Sequence, residues 1–170
     1  MKRFIIPLLA CFCAVFAFTS CHPDEEFEGT VYGFWVAENL TVETQTTING
    51  TTTTNSSTTN YGNDYCRLYL DSSNLASLWY NLDLDIESFT YDEARNRILF
   101  KESLNAGDNG KAIVLLGAYE VELVGDSMVL RQPEFAIGTG SDSPLFEVKE
   151  RATYTFHRAP KSEKPKETTN

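Results

Sequence analysis

The sequence predicts an all-β protein, an eight-stranded up-and-down antiparallel β-barrel with one short helix. Three observations carry that reading. Short runs of alternating apolar and polar residues recur along the chain, tight-turn residues separate them, and no long stretch repeats with helical period. A meander of this length must hide its edge strands, and closure into a barrel removes the edges altogether. A two-sheet sandwich accommodates the same strand count and stays open as the alternative architecture.

The barrel is expected over residues 29–158. Residues 30–37 (TVYGFWVA) and 40–48 (LTVETQTTI) open it, and Asn49-Gly50 then supplies a hairpin turn, since both residues tolerate positive φ. Residues 51–59 are almost entirely Thr, Asn and Ser. Without an apolar face to set a register, this tract reads as a mobile hairpin tip or surface loop. A strand at 64–70 (DYCRLYL) follows. Residues 72–80 are the helix candidate, capped by Ser72 or Ser73 and apolar along Leu75, Leu78 and Trp79.

Further strands are expected at 82–91, 96–102, 111–123, 127–132 and 149–158, with tight turns at Asp92 to Arg95 and at Gly125-Asp126. Residues 133–147 form a long loop holding Gly138, Gly140 and Pro144. The segment 159–170, rich in Pro, Lys and Glu, reads as a disordered tail.

Ahead of the barrel lies an export signal, residues 1–20. Lys2 and Arg3 form a positive start, and Phe4 to Phe18 is an uncharged, mostly apolar run too short for a comfortable membrane span. Phe18-Thr19-Ser20-Cys21 resembles a lipobox, in which small residues precede a cysteine that receives diacylglycerol before cleavage. The resemblance implies a mature protein beginning at a lipid-modified Cys21, with 21–28 as a lipidated linker. Two or more acyl chains give stable anchoring, at about 0.8 kcal/mol per buried CH₂. His22-Pro23-Asp24-Glu25-Glu26 resembles the acidic signal that directs lipoproteins to the outer face of the outer membrane in some gut Gram-negative anaerobes; an ordinary solvated linker fits these residues equally. A lipid-anchored place at the outer membrane, facing periplasm or exterior, is the expectation.

Removing the signal takes two of the 14 basic residues and none of the 24 acidic ones, leaving 12 against 24, a charge of −12. Such a surface repels nucleic acid and anionic headgroups alike. Cys11 and Cys13 lie in the signal and Cys21 at the anchor, so Cys66 is the one thiol left and forms no internal disulfide. It alternates with apolar neighbours, as a buried structural cysteine does.

Gly33-Phe34-Trp35 is similar to the Gly-x-Trp of the lipocalins and related calycin barrels. In that family the Trp closes one end of the barrel, stacked against an Arg near the end of the last strand, and Arg158 ends the last predicted strand here. The run from the Trp strand, through Leu123-Val124-Gly125-Asp126-Ser127-Met128, to the terminal Tyr-x-Phe-x-Arg resembles the lipocalin-like lipoproteins of gut bacteria. What it implies for Gly33, Trp35 and Arg158 is a structural signature rather than ligand contact.

Chemistry-bearing patterns are sparse. His22 and His157 have no metal-ligating companions at zinc spacing, and no nucleophile elbow, phosphate loop or partnered thiol occurs. No catalytic residue, metal or cofactor is expected, and the chain reads as a non-enzyme. Asp83, Asp85 and Glu87 share one strand face opposite Leu82, Leu84 and Ile86, the pattern of a solvated acidic face. Ile113, Leu115, Gly117, Tyr119, Val121 and Leu123 share an inner face. There Tyr119 reads either as the polar tip of a ligand cavity or as an internally bonded core residue. Trp79, Tyr80, Phe135 and Phe146 are placed to lid one mouth or to cover an edge. Asp126-Ser127-Met128 resembles a short O-glycan motif and is also a plain hairpin turn. Two functions follow. One is a barrel binding a small apolar or amphipathic ligand through Tyr119 and Trp79. The other is a solid barrel contacting another envelope protein or glycan through its loops.

Overall fold

A computed structural model describes residues 29–62, 65–108, 111–137 and 146–159. The signal, Cys21, the linker and the tail from 160 onward lie outside the described residues, as do Gly138, Gly140 and Pro144 of the predicted loop.

The described chain is almost wholly β. Its strands are β1 (Gly33–Ile48), β2 (Thr51–Asn60), β3 (Arg67–Leu70), β4 (Leu75–Tyr80), β5 (Asp83–Asp92), β6 (Arg97–Ala106), β7 (Ile113–Val124), β8 (Ser127–Arg131), β9 (Ala136–Ile137) and β10 (Phe146–Arg158). Successive antiparallel pairings run β1-β3-β4-β5-β6-β7-β8-β10, and β10 pairs back along the whole of β1, from Trp35↔Arg158 to Ile48↔Phe146. Eight strands therefore close into a barrel. The sandwich alternative falls on that last pairing.

β1 and β10 are longer than the barrel is tall. Past its rim they continue as a four-stranded blade in the order β2-β1-β10-β9. Two expected strands, 30–37 and 40–48, are one strand with a register shift between Ala37 and Asn39, where β1 leaves the barrel wall for the blade.

The tract 51–59 is not a loop. It forms β2, which pairs with β1 from Ile48↔Thr51 to Asn39↔Asn60. Asn49 (φ 49°) and Gly50 (φ 80°) supply the two left-handed residues of a two-residue hairpin. The turn thus sets the register that side chains could not, and β-branched threonines favour the extended backbone. Hydroxyl contacts Thr41–Thr58 (3.0 Å) and Thr47–Thr52 (2.9 Å) tie the two strands.

The helix expected over 72–80 is a turn followed by β4. Asn74 stands at φ 68°, which ends any right-handed helix there. The Asp71 carboxylate accepts from Ser73 N, Ser73 Oγ and Leu75 N, organising a turn in place of a serine cap. Burial raises the Asp71 pKa, but the donors from Leu75 and Ser73 outweigh it and hold the group below its usual value. Among the described residues, the helical turn that forms is a 3₁₀ turn at Glu93–Arg95, capped by Asp92.

Among the described residues, apolar side chains pack the barrel interior into one core. Trp35, Leu68, Leu70, Leu78, Phe89, Ile98, Phe100, Leu104, Ile113, Leu115, Tyr119, Met128, Leu130 and Phe156 pack in one buried cluster. Cys66 belongs to it, and burial pushes its thiol pKa up to about 12, as a structural cysteine requires.

The acidic face keeps contact with solvent as expected, but the strand faces the opposite way. Leu78 pairs with Asp85 and Ala76 with Glu87, and the core positions of Leu78 and Ala76 put both carboxylates on the inward side. Leu84 and Ile86 point outward and are exposed, as is Leu82 in the turn before them. Inward carboxylates are tolerated because β5 meets β6 only from Phe89 onward, so this half of β5 flanks an opening in the wall. Across it, Asp85 Oδ2 accepts from the backbone amide of Asn105 at 2.7 Å.

Candidate functional site

The first constellation is the base of the barrel, where both ends of the domain meet. The segment Thr30–Tyr32 crosses beneath the strands, with Val31 fully buried. Trp35 Nε1 donates to Val31 O at 2.8 Å. Above the indole, the Arg158 guanidinium lies 4.1 Å from the ring centroid, and its two terminal nitrogens donate to Tyr32 O (2.9 Å) and Thr30 O (2.7 Å). A planar fork reaching two carbonyls while covering an aromatic face suits Arg and not Lys. The stacking alone is worth about 0.5–2 kcal/mol. Sequence reasoning brought Trp35 and Arg158 together, and they are together, with Gly33 opening β1 at φ 115°. Their contacts are structural.

The opposite mouth is closed by tyrosines. Tyr61 and Tyr65 stack with centroids 5.3 Å apart, and Tyr65 meets Tyr80 at 4.8 Å. Asp108 N donates to the Tyr65 hydroxyl at 3.2 Å. A hydrogen bond to Asp108, aided by desolvation and that group's charge, raises the Tyr80 pKa to about 12. Tyr61 and Tyr65 escaped the sequence reading, although both stand close to Gly62 in a short link between strands, where aromatic side chains fold over a rim.

Tyr119 and Trp79 were the predicted ligand contacts, and the fold separates them. Tyr119 is 1 % exposed, inside the core. Its hydroxyl donates to Val114 O and accepts from Leu116 N, both at 3.4 Å, which matches the internally bonded alternative. Trp79 is on the outer face of β4, paired with the outward Leu84. There it neighbours Tyr69, which stacks on Phe34 at 4.2 Å. Trp79 is therefore a wall residue and lids nothing. Tyr80 does sit at the mouth. Phe135 lies under the Arg151 guanidinium (4.5 Å to the ring), and Phe146 begins β10 in the blade.

The outer surface holds a polar groove of about 520 Å³ where blade and barrel meet. Thr41 and Glu43 of β1, Ser56 of β2, Glu120, Val121 and Glu122 of β7, Val129 and Arg131 of β8 and Thr153 of β10 line it. Glu43 is its electrostatic centre, with Arg151 Nη2 at 2.6 Å and Arg131 Nη2 at 3.4 Å. The hydrogen bond from Arg151, with the charges of Arg151 and Arg131, lowers the Glu43 pKa against the opposing effect of burial. Sequence reasoning missed this groove, since its residues come from five strands and only the register aligns them.

His157 Nδ1 stands 3.3 Å from Glu38 Oε1, and among the described residues no three His, Cys, Asp or Glu side chains are grouped to hold a metal ion. Gly125-Asp126 forms the β7–β8 turn and Ser127 opens β8, with Asp126 O accepting from Arg158 N at 2.7 Å. Comparison of the chain with protein-family models, curated proteins and solved structures finds no match.

Proposed function

We propose that this protein is a lipid-anchored, lipocalin-like interaction module of a Gram-negative outer membrane. In this reading it is tethered at Cys21 and contacts another envelope protein or glycan through its outer surface. The observation that carries the choice is the packed core among the described residues. Fully buried Trp35, Phe89, Phe100, Phe156 and Tyr119 occupy the volume a ligand would need. The polar groove around Glu43 lies outside, beside the blade, where a partner has access. A small apolar ligand inside the barrel is thus the less favoured function.

Native mass spectrometry of the full chain released from membranes by mild detergent tests both halves of the proposal. The expected mass is that of residues 21–170 plus a diacylglycerol thioether, with no small molecule retained. In parallel, Cys21→Ala is expected to move the protein from the membrane to the soluble fraction. An unmodified Cys21, or a membrane-retained Cys21→Ala protein, overturns the tether. A stoichiometric apolar ligand overturns the solid-barrel reading.

A further inference from the structure

We infer that the open edge of β2 pairs with the same edge of a second copy of this chain, joining two blades into one continuous antiparallel sheet. The proposal goes beyond the tethered-module reading and stands or falls separately from it.

The first argument is backbone accounting. In a two-residue hairpin the residues flanking the turn form the first doubly bonded pair, here Ile48 and Thr51. Alternation then directs the amides and carbonyls of Thr51, Thr53, Asn55, Ser57 and Thr59 toward β1. Those of Thr52, Thr54, Ser56 and Thr58 point to the other side, where β2 has no neighbouring strand among the described residues. A row of unpaired amides and carbonyls on an extended strand is a template for another strand.

The second argument is the missing protection. Natural edge strands are blunted by Lys, Pro, bulges or short length. β2 runs for ten residues in unbroken register and contains only Thr, Asn and Ser.

The third argument selects the occupant. The chain as a whole is strongly acidic, with 24 acidic against 14 basic residues, so most of its surface repels a second copy. The β2 edge is uncharged. Behind it, from Leu40 to Ile48, β1 carries the single charge of Glu43, which Arg151 and Arg131 neutralise. Two copies therefore approach here at least electrostatic cost. An antiparallel two-fold pairing also consumes both edges and closes the assembly at a dimer.

The register with greatest overlap places the two-fold axis at Asn55. Thr52 then faces Thr58 of the other copy and Thr54 faces Ser56, as doubly bonded pairs. Each face gains hydroxyl contacts of the kind already present between Thr41 and Thr58 and between Thr47 and Thr52.

Sedimentation and oxidative cross-linking of the full chain in detergent, with four single variants, test this. The wild type is expected to sediment as a dimer. Thr54→Pro removes a seam amide without touching the β1 ladder and should weaken the dimer at least about tenfold. Thr54→Val keeps the amide and should leave the dimer intact. Asn55→Cys should form an intermolecular disulfide on oxidation above the wild-type background, because non-bonded antiparallel partners stand about 4.5 Å apart at Cα. Thr53→Cys, displaced from its own copy across the axis, should not. The Asn55→Cys result decides even if Thr54→Pro fails to fold. A monomeric wild type, a dimer indifferent to Thr54→Pro, or equal cross-linking at positions 53 and 55 would overturn the proposal. So would a strand of a different protein found on this edge.

Discussion

Replacing Trp35 with alanine is expected to destabilise the barrel by about 3–5 kcal/mol, the range for truncating a buried large aromatic side chain. Three losses combine. The indole leaves a cavity among Val31, Leu68 and Leu70 side chains that cannot collapse onto it, because closed strands fix the wall. Val31 O loses the indole N–H that reaches it in a buried setting. The Arg158 guanidinium loses the ring it covers, while remaining tied to Tyr32 O and Thr30 O. Urea unfolding should show a lower midpoint with the slope unchanged. Arg158→Lys probes the same base from the other side. Its ammonium cannot span both carbonyls, so an intermediate loss of roughly 1–2 kcal/mol is expected. A Trp35→Ala protein within about 1 kcal/mol of wild type would mean that the base is not sealed as described.

Tyr154→Phe and Tyr119→Phe are each expected to cost about 1–3 kcal/mol, far more than an outlying hydroxyl is worth, because each leaves a backbone group unpaired. The reason is topological. β8 ends at Arg131, opposite Glu120, so among the described residues the part of β7 from Ile113 to Ala118 has no strand beside it on that flank. Two tyrosine hydroxyls stand in for the missing strand. Tyr154 donates to Val114 O (3.0 Å) and accepts from Val114 N (3.3 Å), while Tyr119 bridges Val114 O and Leu116 N. Since Val114 O keeps one hydroxyl donor in each single variant and loses both in the double, the double variant should cost more than the sum of the singles. Hydrogen exchange adds a local signature, with the Val114 and Leu116 amides exchanging faster than their neighbours on β7. Unaltered exchange at those two amides would remove the tyrosines from this role.

The same residues fix an alkaline limit. Burial raises the Tyr119 pKa to about 12 and moves Tyr154 in the same direction. An unfolded tyrosine ionises near pH ~10. The stabilisation is therefore complete below that pH and is lost as pH climbs toward the folded value, so the double Phe variant should also be less sensitive to alkali.

How much of this was legible from residues follows from what each signal encodes. Alternation located the barrel strands well, but it reports period and not direction. Leu84 and Ile86 alternate with Asp85 and Glu87, and the apolar members face outward because the half of β5 that holds them parts from β6. At 72–80, Leu75, Leu78 and Trp79 fit a helical stripe, while Ala76 and Leu78 equally fit a strand. The left-handed Asn74 and the Asp71 turn decide for the strand. β2 carries no side-chain pattern at all, and its register comes from Asn49-Gly50 and the length of β1. The Trp35–Arg158 pairing was readable only through the resemblance to the lipocalins, and closure of the meander brings the two residues together. Tyr119 was readable as an inner residue. Its partner groups were not, since they depend on where β8 stops.

Closure of β1 onto β10 underlies the solid core, the sealed base and the blade alike. Nuclear Overhauser contacts between backbone protons of the isotopically labelled chain report it most directly. Cross-strand contacts are expected for Trp35 with Arg158, Val36 with His157 and Leu40 with Tyr154. Contacts from β1 to β3 with none from β1 to β10 would describe an open sheet and contradict the barrel.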